Sequence, residues 1–171
     1  MNTLIQKDLL EKINVGKILR YGLYLLVLLI AQNILFTQLR LLGVCPMVLP
    51  AAAVAMGMFE GATWGPLFSL LLGYFADMAF IENSVFFTLV FPAISFAAAF
   101  ISNFFINRRF FAYIGAAAFG LLITAFGQLL KTAASDSFST VMVTTALLQS
   151  LWSLPFAVLA YFPPARLSRL D

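Results

Sequence analysis

The chain alternates between long apolar stretches and short polar links. Its charged residues leave six uncharged windows, at 21–39, 41–59, 61–76, 83–107, 110–130 and 137–165. A helix needs about 20 apolar residues to cross the hydrocarbon core of a bilayer. Because the apolar runs are continuous and do not alternate every second residue, the pattern indicates helices and not strands. The predicted helices lie near 20–38, 44–59, 64–81, 84–106, 110–131 and 139–162.

The predicted links between these helices are short. They fall near 40–43, 60–63, 82–83, 107–109 and 132–138. None of them is long enough to contain a soluble domain. We therefore expect the protein to act within the membrane or through these short links.

Composition excludes most soluble classes of protein. Hydrophobic residues make up 63% of the 171 residues, charged residues make up 10%, and the mean hydropathy is +1.00. Soluble domains have about 45–50% apolar and about 25% charged residues. The basic residues lie between apolar runs and form no polar patch, so no nucleic-acid partner is expected. The sequence predicts an all-α integral membrane protein with a six-transmembrane-helix bundle.

Few residue types suited to catalysis or metal binding are present. The chain has no histidine and one cysteine, Cys45. This excludes disulfides within the chain, zinc sites built from cysteine and histidine, and Ser-His-Asp triads. We expect no cofactor, no metal and no enzymatic activity.

The basic residues also predict the orientation in the membrane, because lysine and arginine accumulate on the cytoplasmic side. With six crossings, one side receives eight of the ten basic residues, and the other receives only Arg40 and Lys131. Both termini are therefore expected in the cytoplasm. Segment 1–20 is predicted to be a cytoplasmic segment, either an interfacial amphipathic helix or a frayed tail. Segment 21–165 is the transmembrane domain, and 166–171 is a short cytoplasmic tail.

Several polar residues are predicted to lie deep in the membrane, where they are costly and indicate a functional or structural role. The amides Gln32, Gln128 and Gln149 are expected to form hydrogen bonds between helices. Asp77 needs a cation, a proton or access to the interface, because an unpaired carboxylate is expensive in lipid. Lys131 is predicted at a similar depth, so an Asp77–Lys131 pair is a hypothesis.

Small residues recur every four positions around the second link. The series is Gly57, Gly61, Gly65, Ser69 and Gly73, and Asp77 falls next in line. Such spacing lets two helices approach closely. Two interpretations stay open: packing inside the protein's own bundle, or docking of a partner's transmembrane helix. A homodimer is also compatible with such a face.

Two segments resemble the rod shape-determining protein MreD family. Segment 31–50 resembles the first hairpin of that family, although Met47 stands where a polar or acidic residue often follows the proline. Segment 59–80 is the more specific match. It contains the pattern Glu-Gly-x-x-Trp-Gly, then a glycine-containing run and an aspartate, here Glu60, Gly61, Trp64, Gly65, Gly73 and Asp77.

The resemblance implies a role in the bacterial plasma membrane and not a reaction. MreD proteins belong to the machinery that builds the lateral cell wall, with the partners MreC, MreB, RodA and a class B penicillin-binding protein. The expected function is a membrane scaffold that binds partner helices and supports peptidoglycan synthesis.

Each site residue has an expected role within that scaffold. Glu60 caps the third helix or meets a basic partner, and Trp64 anchors the turn. Gly65, Ser69 and Gly73 form the face of close approach. Arg108 and Arg109 either contact anionic lipid or a cytoplasmic partner, or they only set the orientation.

An alternative function comes from a different class of protein. The MreD family is similar in size and span number to the substrate-binding subunits of energy-coupling-factor transporters, which bind vitamins. Against this, residues 23–30 lack the Ala-xxx-Ala docking face that those subunits often carry. A lipid-handling enzyme would need Glu60 and Asp77 together, but the predicted topology places them near opposite faces of the membrane.

Overall fold

The computed structural model describes residues 15–40, 43–79, 85–104, 110–135 and 140–167. Helices dominate this part of the chain, which confirms the all-α prediction. They are α1 (Val15–Ala31) with a π-helical turn at Gln32–Phe36, α2 (Leu49–Ala79), α3 (Phe86–Phe104), α4 (Phe110–Ser135) and α5 (Thr140–Leu167).

Three of the described helices are long and apolar enough to cross a membrane. These spans are Gly16–Phe36, Phe110–Leu130 and Thr140–Leu167, and Phe86–Ser102 is a shorter apolar helix. Their outward faces carry large exposed hydrophobic side chains. A soluble monomer rarely exposes so much contiguous apolar surface, so the outer face of the bundle is suited to lipid.

Helix α2 is broken at Gly61, which confirms the predicted link at 60–63. Gly61 adopts φ 76° and ψ −170°, a backbone conformation that side chains other than glycine rarely adopt. The two halves of α2 fold back on each other. A Cβ atom added to Gly65 would lie 2.7 Å from the Cα of Gly57, and the Ser69 hydroxyl donates to the Ala53 carbonyl at 3.5 Å. Residues 49–79 therefore form a helical hairpin.

The first half of α2 is the centre of the bundle. Every residue from Leu49 to Met58 is buried, as expected for a helix that is hydrophobic on all sides. Helix α3 packs closely against it. The evidence is that a Cβ atom added to Gly57 would lie only 2.1 Å from the carbonyl oxygen of Ser95. Small side chains here let three helical segments meet at short distances.

The bundle has two ends, which we call the Glu60 end and the Asp77 end. At the Glu60 end, α1 and α4 begin and α5 finishes, as the ring contacts of Tyr161 with Phe59 and Phe110 show. Helix α2 begins at the opposite end, where Gln32 at the end of α1 contacts Val48. The second half of α2 finishes at that same end, beside the start of α3.

The helix bounds differ from prediction at four main places. Helix α4 ends at Ser135 and helix α5 at Leu167, four and five residues after the predicted ends at 131 and 162, and two helix starts also differ. Helix α1 begins at Val15, five residues before the predicted start, so the predicted cytoplasmic segment 1–20 overlaps it. Helix α2 begins at Leu49 and not at residue 44, because Pro50 is tolerated in the first turn of a helix but would disrupt the interior of a helix that began at residue 44. The possible interfacial helix lies in residues 1–14, outside the described part, as do the links at 82–83 and 107–109.

Substitutions at two helical glycines test the central packing. We expect Gly57→Ala to lower the free energy of unfolding by about 1–3 kcal/mol, because its methyl group collides with backbone that is already packed. Gly115→Ala is the matched control, since a Cβ atom there meets nothing within 4 Å. It should leave stability unchanged or raise it by up to about 1 kcal/mol. Unfolding measured in detergent checks both, and equal effects would contradict the proposed packing.

Candidate functional site

Glu60 is the centre of a buried polar cluster at the Glu60 end. Its carboxylate forms an ion pair with Lys17 of α1 and accepts a hydrogen bond from the Tyr21 hydroxyl. The Glu60 side chain is 2% exposed and that of Lys17 is 17% exposed. Lys17 of the same chain therefore neutralises Glu60, and a basic partner molecule at Glu60 stays a prediction. The Lys17–Glu60 contact fastens α1 to the break in α2.

Trp64 lies one turn after the break, as part of an aromatic group. The Phe68 ring stacks with the Tyr21 ring at a centroid distance of 4.7 Å and with the Trp64 ring at 5.8 Å. Tyr21 thus carries both a hydrogen bond to Glu60 and a ring contact in the core. Trp64 packs on Phe68 in this group, and its predicted role as an anchor of the turn stays a prediction.

The small-residue face is occupied by the protein's own helices. Gly65 faces Gly57, and Ser69 is buried against Ala53. At Gly73, an added Cβ atom would lie 2.4 Å from the carbonyl oxygen of Phe87 in α3. The internal-packing interpretation accounts for these contacts. A partner helix can reach this face only if α3 or the first half of α2 leaves it.

Asp77 caps the start of α3. Its carboxylate accepts hydrogen bonds from the N–H of Phe87 at 3.1 Å, from the N–H of Thr88 at 2.7 Å and from the Thr88 hydroxyl at 2.6 Å. The first N–H groups of a helix lack partners within the helix, and a negative charge there is favoured by the helix dipole. These contacts explain how a carboxylate is accommodated so deep in an apolar chain.

Three of the predicted site residues have side chains outside the described part of the chain. Lys131 belongs to α4, but its side chain lies outside the described part, so the Asp77–Lys131 pair stays a hypothesis. Arg108 and Arg109 also lie outside it. Gln128 is described, and its Nε2 approaches the Met47 sulfur at 3.8 Å.

Two side chains hold the start of α2: Ser153, which sequence reasoning missed, and Gln32, for which it predicted a different kind of partner. The Gln32 carboxamide donates to the Pro46 carbonyl and accepts from the Val48 N–H, both at 2.9 Å. The Ser153 hydroxyl of α5 accepts from the Met47 N–H at 2.8 Å. The expected hydrogen bond between helices at Gln32 is therefore replaced by a bond to non-helical backbone. Its position deep in an apolar run, close before two prolines, was the available signal.

A tyrosine also compensates for a proline. Pro164 has no N–H, so it leaves the carbonyl of Ala160, four residues earlier, without its helical partner. The Tyr24 hydroxyl of α1 donates to that carbonyl at 3.2 Å. This contact ties α1 to the last helix near the Glu60 end.

Among the described residues, the two carboxylates Glu60 and Asp77 lie in separate polar groups. Glu60 and Asp77 lie at opposite ends of the second half of α2, which at 1.5 Å per residue places them roughly 25 Å apart. Among the described residues, no three histidine, cysteine, aspartate or glutamate side chains are close enough to hold a metal. What these polar contacts do is fix helix ends and join helices.

Two helices leave a crevice between them at the Asp77 end. This α4–α5 crevice has a volume of about 260 Å³. The side chains that define it are Gln128, Leu129, Val141, Met142, Thr145 and Gln149.

Comparisons with protein-family models, curated proteins and solved structures find no match to this chain. The resemblance to MreD proteins therefore depends on segments 31–50 and 59–80 alone. The structure gives a physical role to residues in both segments, since Gln32 holds the start of α2 and Asp77 holds the start of α3.

The buried ion pair is tested by removing its partners one at a time and together. We expect Lys17→Met to destabilise the protein by about 3–5 kcal/mol, because it leaves a buried carboxylate without its cation. The double variant Lys17→Met with Glu60→Gln should recover most of this loss, since it removes the charge and keeps an acceptor for Tyr21. Unfolding measurements in detergent give the coupling energy. If the loss of stability in Lys17→Met and that in Glu60→Gln simply add up in the double variant, the ion pair does not contribute to stability.

The cap on α3 is tested by amide exchange. Asp77→Ala should expose the N–H groups of Phe87 and Thr88 to exchange and reduce stability by about 1–2 kcal/mol, the usual effect of losing such a cap. Asp77→Asn keeps one acceptor oxygen and should have a smaller effect. Lys131→Ala is the matched comparison, and exchange at residues 87 and 88 should not change in it. A larger effect of Lys131→Ala at these amides would favour the ion-pair hypothesis over the cap.

Proposed function

We propose that this protein is an integral-membrane scaffold of the bacterial cell-elongation machinery, with no enzymatic reaction of its own. In this proposal it binds the transmembrane helix of MreC. It supports lateral peptidoglycan synthesis together with MreB, RodA and a class B penicillin-binding protein. The observation that carries the proposal is the helical hairpin of α2, because the residues that resemble the MreD pattern build it. A scaffold of this kind depends on a rigid arrangement of helices and not on a reactive group.

The contacts of the pattern residues support a structural role. Glu60 bonds to Lys17 of α1, and Asp77 bonds to the first residues of α3. Gly65 and Gly73 allow the close approach of neighbouring backbone. Glu60, Gly73 and Asp77 thus connect the hairpin to α1 or α3. Gly61 and Gly65 instead shape the hairpin itself.

The proposed topology has six crossings in the bacterial plasma membrane. Helix α1, the two halves of α2, and helices α3, α4 and α5 supply the six segments. The Glu60 end carries Lys17, Arg20 and Arg166, whereas Arg40 follows α1 at the Asp77 end. An excess of basic residues marks the cytoplasmic side, so the Glu60 end and both termini belong in the cytoplasm under this proposal. Anionic lipid is then a natural neighbour of that end.

The outward face of α1 is the proposed contact for the partner helix. Polar bonds hold α1 to the bundle through Lys17 and Gln32, and its inner face buries Tyr21 and Leu25. Its outer face is apolar and exposed over its whole length, at Leu19, Leu23, Leu26, Val27, Ile30 and Ile34. Unlike the glycine face of α2, this surface is not covered by the described residues of the chain.

Recovery of partners from the host tests the function. The tagged protein is isolated in gentle detergent, and both the proteins and the small molecules that accompany it are identified by mass spectrometry. We expect MreC with other elongation proteins and no stoichiometric metabolite. Recovery of an ATPase module together with a vitamin-sized ligand would instead favour the transporter-subunit alternative.

A matched pair of variants tests the location of the contact separately. Leu23 of α1 is 64% exposed and Leu151 of α5 is 66% exposed, so both positions tolerate a larger side chain. We expect Leu23→Trp to reduce recovery of MreC several-fold, and Leu151→Trp to leave it unchanged. If Leu151→Trp has the larger effect, the partner lies on α5 and the scaffold proposal survives with a different face.

A further inference from the structure

The α4–α5 crevice is separate from the core of the bundle. Ala125, Leu129 and Ala146 form a small hydrophobic cluster of their own beside it, apart from the large cluster around the first half of α2. The crevice is open to the outside, and its volume of about 260 Å³ lies just below the range of about 300–1,000 Å³ typical of drug-sized pockets. It suits a small molecule or one end of a larger one.

Two glutamines from facing helices give the crevice its polarity. Gln128 projects from α4 and Gln149 from α5. The Gln149 carboxamide makes no hydrogen bond to any side chain or backbone group in the described part of the chain. A carboxamide offers two N–H donors and one acceptor oxygen, and leaving it unpaired in apolar surroundings is unfavourable. An occupant with both a donor and an acceptor removes that penalty.

The rest of the described lining is uncharged and largely apolar. Leu129, Val141 and Met142 surround the glutamines, and Thr145 adds a hydroxyl that already donates to the Val141 carbonyl at 2.8 Å. A charged ligand would find no described counter-ion at the glutamines. The lining therefore fits a neutral polar group attached to an apolar chain.

The position of the crevice along the apolar span also fits a ligand with a polar head group and an apolar chain. Gln128 lies in the last turn of the apolar span Phe110–Leu130, close to the level where hydrocarbon gives way to head groups. Further inward, the space beside Gln128 and Gln149 narrows to a void of about 10 Å³, which admits no more than a water-sized group. A polar head group that enters from the side thus stops at the two glutamines.

We propose that the α4–α5 crevice binds a neutral amphiphile from the membrane. Its head group is a primary amide or hydroxyl that exchanges hydrogen bonds with Gln149 and Gln128. Its apolar chain lies along Leu129 and Val141. This activity goes beyond the proposed scaffold function and does not depend on it, because the crevice and the hairpin of α2 share no residue.

Selective labelling of glutamine allows a direct test. The chain has five glutamines, at positions 6, 32, 38, 128 and 149. The full chain, labelled with ¹⁵N-glutamine, is placed in lipid nanodiscs and titrated with octanamide, and the side-chain amide signals are followed by NMR. We expect saturable shifts at Gln128 and Gln149, and none at the buried Gln32. Sodium octanoate has a charged head group and octane has none, so neither compound should produce a saturable shift.

Variants connect the shifts to the crevice. Gln149→Leu should weaken octanamide binding about tenfold, the loss of one to two hydrogen bonds, and Gln38→Leu is the matched control at an exposed position. Thr145→Leu keeps both glutamines and narrows the crevice, so it should also weaken octanamide binding. If Gln149→Leu does not fold, the result for Thr145→Leu tests the proposal. Equal shifts with octane, no saturable shift, or unchanged binding in both crevice variants would overturn the proposal.

Discussion

Burial of the first half of α2 on every side is the constraint on which the rest of the bundle depends. A helix with no outward face needs neighbours all around it, and the neighbours come close only where its side chains are small. Gly57 meets both Gly65 of the same hairpin and Ser95 of α3. The break at Gly61 supplies the first of these neighbours from the same helix. The chain thus uses one glycine to turn and two more to close the turn tightly.

Polar side chains solve the problem that this central helix creates. A helix that begins inside apolar surroundings leaves N–H groups without partners, and backbone at membrane depth is tolerated only when the protein itself satisfies it. Gln32 and Ser153 bond to the segment before α2, and Asp77 does the same for α3. The polar residues that look functional in the sequence therefore supply hydrogen bonds at the starts of helices. Glu60 is different, because it joins two helices through a paired charge.

The local sequence pattern predicted where the helices lie, but it did not predict which helices contact one another. The turn near Gly61 follows from a charge beside a glycine between two apolar runs, and the structure confirms it. The spacing of Gly65, Ser69 and Gly73 correctly indicated close approach, but it contained no information on which helix approaches. That depends on how the hairpin closes. The bonds of Gln32 to Val48 and of Ser153 to Met47 join residues 16 and 106 positions apart, and neither residue type nor periodicity specifies such pairs.

The short length of the central segment has a consequence for biogenesis. Residues 49–60 extend only about 18 Å, against about 30 Å for the hydrocarbon core of a bilayer, and non-helical backbone precedes them. This segment is poorly suited to leave the translocon into lipid by itself. One of the groups that satisfies its start, the Ser153 hydroxyl, belongs to the last described helix in the chain. During synthesis, the contacts at the start of the central segment are therefore complete only after this last described helix has been made.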